Sequence, residues 1–296
     1  MVMQQGGIAI ALAALACASQ QAKPAAAPAQ NKALSFGFMR PTSEKAAASS
    51  AGRLTADLTE ALGQKVVALV FETPRELAEA LAAGRVDAAW MSPGSYVQAA
   101  RLAEVEPILK LSRGGFGRYR SVFFTKAGAP ITSLQEAQGH TLALVRGQSM
   151  SGHLYPMAHL KRRGIDPARY FKSIIEGKDH EDVCRLVLTG KADVGVTLSD
   201  YRAPDELTPD ACVQGGMDPD AFAVFDAVGP IPNDVVAVRA SLDSGLRDHL
   251  RDALMDMRRT EAGKAELRAI FYADGFVPAN DTDFAAVREL EQFMGE

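Results

Sequence analysis

The run Arg146-Gly147-Gln148-Ser149-Met150-Ser151-Gly152 carries the densest chemistry in the chain. It follows an apolar stretch, Thr141 to Arg146, that reads as a strand, and it opens a helix expected from Ser151 to Arg163. A helix start leaves several backbone N–H groups without intrahelical partners and carries partial positive charge. Two hydroxyls and a glycine at that point let an oxyanion come close to the backbone, so phosphate-like or carboxylate-like oxygens suit it. The same residues also suit an ordinary helix cap, with Ser149 or Ser151 accepting from the first turn. His180, in Lys178-Asp179-His180-Glu181-Asp182, falls at a second helix start that Asp179 can cap. Ser149 or Ser151, His180 and an aspartate would also supply the parts of a hydrolytic triad. The G-x-S-x-G elbow is absent, because Gly147-x-Ser149-x-Ser151 ends in serine. The lysine and spacing of a P-loop are absent too, so nucleotide hydrolysis is not indicated.

These groups need a scaffold, and the composition describes an ordinary globular one. Of 296 residues, 47% are hydrophobic and 23% charged. That length suggests about two domains. Lys and Arg number 32 against 36 Asp and Glu, a net charge of −4, which is no basic footprint for nucleic acid. Three cysteines without CxxC or Cys/His spacing indicate neither a disulfide scaffold nor a zinc site. Past residue 20 no run approaches the ~20 apolar residues that a membrane span needs.

Apolar runs predict strands at 34–39, 65–71, 86–90, 119–126, 141–146, 170–175, 193–197, 222–228 and 234–239. Helical spacing predicts helices at 43–62, 74–83, 93–102, 151–163, 179–189, 244–259, 261–271 and 282–294. Such alternation gives mostly parallel sheets with helices on both faces. One internal echo stands out: Leu81-Ala82-Ala83-Gly84-Arg85-Val86-Asp87-Ala88 resembles Leu188-Thr189-Gly190-Lys191-Ala192-Asp193-Val194-Gly195. Two similar α/β lobes around a cleft would explain it, and so would a shared glycine-capped helix-to-strand turn. Cys184 and Cys212 fit either a disulfide or two buried thiols.

The first thirty residues read as an address and a tether. Ile8 to Ala18 is one apolar run of the length of a signal-peptide core. Leu15-Ala16-Cys17 looks like a bacterial lipobox, which would make Cys17 an acylated first residue; Ala16-Cys17-Ala18 also reads as an ordinary cleavage site. The Ala-, Gln- and Pro-rich stretch that follows is a flexible spacer by composition. The expectation is a signal peptide at 1–16, an anchor and linker at 17–32, and a body that works outside the cytoplasm.

From Thr141 to Asp200 the chain resembles the phosphonate/phosphite-type substrate-binding proteins of bacterial ABC transporters. The words that carry the resemblance are Ser149-Met150-Ser151-Gly152-His153-Leu154-Tyr155-Pro156, Gly164-Ile165-Asp166-Pro167, Tyr170-Phe171-Lys172, His180, and Val187-Leu188-Thr189-Gly190-Lys191-Ala192-Asp193. Upstream, Gly84 to Trp90, Ser92-Pro93-Gly94-Ser95-Tyr96 and Tyr119-Arg120-Ser121-Val122 fit the same family. The likeness spans roughly residues 34–272. It implies a two-lobed α/β periplasmic-binding fold of type II, with each lobe a mostly parallel sheet flanked by helices and two crossover strands as hinge. Lobe one is expected at 33–122 plus 236–296, lobe two at 123–235, and the hinge near 121–126 and 234–239.

Carried over residue by residue, the resemblance puts the ligand on Ser149, Met150, Ser151, His180 and Tyr119, with Asp234 after the Ile231-Pro232-Asn233 turn and Asp200 at the end of a lobe-two strand. The family's middle hydroxyl in the Ser-Thr-Ser run is replaced by Met150, and its aromatic after the second strand by Thr73-Pro74-Arg75, so the pocket departs from the pattern. The implied function is capture of a phosphonate-, phosphite- or phosphate-like oxyanion by a monomeric binding protein. It would need no cofactor or metal, and would hand the ligand to an ABC permease in the inner membrane. A sensor lipoprotein presenting ligand to a histidine kinase, with the same pocket, and a phospho-ester hydrolase using Ser149 and His180 are the alternatives.

Overall fold

A computed structural model describes Met1 and residues 33–39, 44–203 and 205–295. The expected signal peptide, Cys17 and the spacer lie outside the described residues. The body opens with β1 (Leu34–Met39), α1 (Glu44–Leu62), β2 (Val66–Phe71), α2 (Pro74–Ala82), β3 (Ala88–Met91), α3 (Pro93–Leu102) and β4 (Val105–Ser112). It continues through β5 (Arg118–Lys126), β6 (Thr141–Val145), α4 (Tyr155–Arg162), α5 (Pro167–Tyr170), β7 (Ser173–Gly177), α6 (His180–Leu188), β8 (Val194–Asp200), α7 (Asp210–Gln214) and β9 (Phe222–Pro232). It closes with β10 (Val235–Arg239), α8 (Ser244–Asp256), α9 (Glu261–Phe271), β11 (Gly275–Pro278) and α10 (Ala285–Gly295).

The strands form two mixed sheets, ordered β11-β4-β10-β3-β1-β2 and β7-β6-β8-β5-β9. Each has a parallel trio, β2-β1-β3 in one and β7-β6-β8 in the other, followed by an antiparallel strand. The internal echo is this repeat. Asp87 accepts from the Ser35 backbone N–H at 2.8 Å, and Asp193 accepts from the Thr141 N–H at 2.8 Å. In both lobes the aspartate that follows the glycine-capped turn ties the start of the third strand to the start of the first. Gly84 (φ 67°) and Gly190 (φ 72°) take the left-handed conformation that this turn requires.

Strands covered on both faces explain the long apolar runs. In the first sheet, Phe36, Leu109 and Val236 pack against Leu54 and Phe271 on one face. Ala89 and Val235 pack against Leu77 and Tyr96 on the other. In the second, Phe123 and Phe124 alternate between the two faces, toward Leu160 and Val187 respectively. The helices are delimited by local chemistry. Thr73 and Glu76 make a reciprocal cap around Pro74 at the start of α2, Ser92 caps α3, and Asp179 caps α6.

The chain passes between the sheets twice, at 113–117 and at 233–234. The stretch 121–126, where sequence put one bend, lies inside β5 of the second sheet. Residues 235–239 lie inside β10 of the first. Buried Asn233 joins the two crossings: its side chain donates to Leu111 O (2.9 Å) and Phe116 O (3.1 Å), and its backbone N–H donates to Gly117 O (3.0 Å). Cys184 of α6 and Cys212 of α7 form a disulfide, with Cα atoms 5.5 Å apart. The bond closes a loop spanning 28 residues of separation. Chain-entropy reasoning assigns a loop of that size roughly 3.6 kcal/mol. The Cys184→Ala/Cys212→Ala variant should be less stable by about that free energy in denaturant titration, with a lower midpoint, and reductant should not shift its midpoint further. An unchanged midpoint relative to the oxidised wild type would contradict this.

Candidate functional site

The second sheet delivers the 149–154 turn to the side of the first. Ser149 is extended, and its Oγ accepts from the Gly152 N–H at 3.1 Å. Met150–Leu154 then wind as one wide turn, the Ser149 carbonyl accepting from His153 (3.0 Å) and Leu154 (2.9 Å), before α4 continues the helix. Gly152 is needed for close approach: a Cβ there would sit 2.4 Å from Val145 Cγ2 and 3.0 Å from His180 Cε1. The buried Ser121 hydroxyl donates to the Ser151 carbonyl at 2.6 Å, fixing the turn on β5. The Met150 and Ser151 N–H groups, first in the turn, have no acceptor within their own helix.

His180 stands against this turn. Its Nε2 is 3.3 Å from Ser149 Oγ and its Nδ1 is 2.9 Å from the Thr197 hydroxyl. Burial pushes the imidazole down to about 4, against the upward pull of Asp179, so the ring is neutral near pH 7. Both partners are hydroxyls, which donate or accept, so either ring nitrogen can carry the proton. A hydrolytic triad needs a carboxylate on the far nitrogen. Thr197 occupies that place.

Tyr119 and Asp200 are directly opposed in the β5–β8 ladder. Tyr119 reaches the Ser151 side chain, and burial followed by the charge of Asp234 raises its phenol above the usual range. Asp234, in the second crossing, is also raised by burial, against the pull of Arg113; the Trp90 indole N–H lies beside it without hydrogen-bond geometry. Burial raises Asp200 as well, with Arg113 again the main opposing charge. Among the described residues the buried Asp200 Oδ1 has no hydrogen-bond partner, and it lies 3.9 Å from Arg113 Nε.

Met150 behaves differently from a hydroxyl. It is buried in the cluster that contains Leu77, Tyr96 and Val287 of the first sheet's helices, together with Tyr155 and Ala158. A Cβ on Gly94 of α3 would sit 2.5 Å from Met150 Cε, so glycine makes room for the methionine. Beside it a cavity of about 340 Å³ opens between Thr73, Ser92 and Gln98 on one side and Gln148 and Leu154 on the other.

Six of the seven residues drawn from the sequence thus fall into two groups. One is Ser149 with His180; the other is Tyr119 beside Ser151, under the charge of Asp234 and opposite Asp200. Met150 crosses toward the first sheet instead. Arg113 and Thr197 do not stand out in the sequence, and Ser121 and Trp90 figure there only as parts of the resemblance, with no site role. Thr197 and Ser121 read as strand interior, and Arg113 as part of a glycine turn, so only the tertiary fold exposes them.

His180 sets a pH signature. Its folded value, about 4, lies below the ordinary 6.5, so the stability linked to its neutral form is present above 6.5 and is lost as pH falls through 4. The full shift corresponds to roughly 3 kcal/mol. His180→Gln should lose less stability than wild type between pH 6.5 and 4, measured by denaturant titration. Identical acid limbs would refute the neutral buried ring.

Residues 36–284 match the family model described as the periplasmic substrate-binding protein of phosphonate ABC transporters. The chain is 24% identical over 278 residues to the phosphonates-binding periplasmic protein of Escherichia coli, covering 91% of this chain and 79% of that one. It is 25% identical over 263 residues to the phosphate-import protein PhnD of Mycolicibacterium smegmatis, covering 80% and 78%. PhnD1 of Prochlorococcus marinus, solved with methylphosphonate, superposes with a TM-score of 0.69 at 16% identity, covering 90% and 99%. The two-lobed α/β architecture is that of type II periplasmic binding proteins, and the chain belongs to the phosphonate-type substrate-binding protein family of ABC transporters.

Proposed function

We propose that the protein captures a phosphonate- or phosphite-like oxyanion in the crevice between its two sheets and delivers it to an ABC permease at the inner membrane. The observation that carries this reading is the convergence of the Ser149–Ser151 turn with His180 and Tyr119. Backbone N–H groups, two hydroxyls, a phenol and one imidazole N–H supply donors to a tetrahedral anion. Charge-assisted hydrogen bonds of this kind are short and strong. Asp234 and Asp200 reject a fully deprotonated anion such as sulfate, which brings no proton to pair with a carboxylate.

Binding makes and breaks no covalent bond. Closure is driven by the ligand's greater affinity for the closed state, with bending at 113–117 and 233–234. The protein works in the periplasm or cell envelope as a monomer, held to the membrane through acylated Cys17. Lobe one comprises the residues of the β11-to-β2 sheet with their helices, lobe two those of the β7-to-β9 sheet.

Calorimetric titration of the ligand-stripped protein against methylphosphonate, 2-aminoethylphosphonate, phosphite, phosphate and sulfate tests this. One-to-one binding, micromolar or tighter and confined to phosphorus oxyanions, is expected; silence across the panel refutes it. Ser151→Ala and His180→Ala should each weaken the best ligand by roughly 1.5–3 kcal/mol, the scale of a hydrogen bond to a charged group. Wild-type affinity in both variants would show that the site lies elsewhere.

A further inference from the structure

The carboxylate end of the crevice contains its own cation. Arg113 sits in the first crossing, where its backbone and that of Phe116 exchange hydrogen bonds of 3.1 Å. Its Nε donates to Tyr272 O at 2.8 Å and its Nη1 to Asn233 Oδ1 at 3.2 Å. The guanidinium is therefore held by the second crossing and by the residue that ends α9. Its Nε also lies 3.9 Å from Asp200 Oδ1, and its charge acts on Asp234 and Tyr119. Other nearby charges are already engaged: Arg202 pairs with Asp210 at 2.7 and 3.1 Å, and Asp274 accepts from the Gly114 N–H at 2.6 Å.

Two half-buried carboxylates beside an oxyanion favour a positive charge near them. In a site shaped for an amine-bearing ligand, the ligand's ammonium supplies it. Here a planar, permanently charged group held by the second crossing and the end of α9 does so, and it cannot be neutralised by losing a proton. A ligand ammonium brought to Asp200 would meet that guanidinium at close range, and like charges placed together discriminate against a ligand.

We propose that Arg113 is a specificity-determining residue: it supplies the cation at the carboxylate end of the crevice, so that the site takes phosphorus oxyanions with a small uncharged substituent and disfavours those carrying an ammonium group. The inference rests on the oxyanion-binding reading above and specifies its ligand class.

The test is titration of wild type, Arg113→Gln and Arg113→Lys with methylphosphonate and 2-aminoethylphosphonate, with thermal melts to confirm folding. Wild type should favour methylphosphonate by at least about tenfold, the scale of one charge-assisted contact. Arg113→Gln should weaken methylphosphonate by a similar factor and leave 2-aminoethylphosphonate unchanged or tighter. Arg113→Lys should keep the wild-type order. A wild-type preference for 2-aminoethylphosphonate overturns the inference while leaving oxyanion capture intact, and it does so even if Arg113→Gln does not fold. Equal weakening of both ligands in Arg113→Gln also overturns it, because Arg113 is then only a strut between the crossings. Failure of wild type to bind any phosphorus oxyanion removes the functional reading and this inference together.

Discussion

The cleft takes its shape from the double passage of the chain between two sheets. Each crossing strand joins the far sheet antiparallel, next to a parallel trio, so the ends of β5, β8 and β10 meet where the lobes face one another. Asn233 ties the crossings together through side-chain and backbone hydrogen bonds that leave it fully buried. Residues at these ends inherit their neighbours from that topology. Tyr119 opposes Asp200, Asp234 follows Asn233, and Arg113 bridges the two connections. Behind each crossing lies a parallel trio whose first and third strands are tied at their starts by Asp87 in one lobe and Asp193 in the other.

The electrostatics of the crevice are local. The whole chain is acidic, at −4, yet the 149–151 turn presents N–H groups and hydroxyls, and Arg113 Nε lies 3.9 Å from Asp200 Oδ1. Exposed charges farther than a Debye length of ~8 Å are largely screened, so the net charge has little say over the field among these groups. Burial raises Asp200, Asp234 and Tyr119 and lowers His180, and each shift moves its group toward the uncharged form. A neutral imidazole between two hydroxyls can turn its one N–H toward an arriving oxygen and accept from Thr197 on the other side, with no change in charge.

Much of this was legible in the sequence because local signals agreed with the fold. Leu34–Met39 is strand as read, the glycine-capped echo is the repeated lobe unit, and the hydroxyl-rich run after β6 is a helix start. What escaped detection has identifiable physical causes. β4 contains Pro107, which argues against a strand interior; it is accommodated where the pairing with β10 shifts register between Val236 and Ala237. β11 is four residues long, too short to show a period. The strand expected at 170–175 begins instead at Ser173, because Asp166 caps a one-turn helix over Pro167–Tyr170. The disulfide and Arg113 depend on distances between segments far apart in sequence, which no local pattern encodes.

A crystal structure of the stripped protein grown with methylphosphonate tests the proposed ligand site on the 149–151 turn most directly. Phosphonate oxygens are expected within hydrogen-bond distance of the Ser149 and Ser151 hydroxyls, the Met150 and Ser151 N–H groups and His180 Nε2. Methylphosphonate lodged instead in the cavity beside Thr73, Gln98 and Gln148, with the 149–151 turn free of it, would contradict the proposed site.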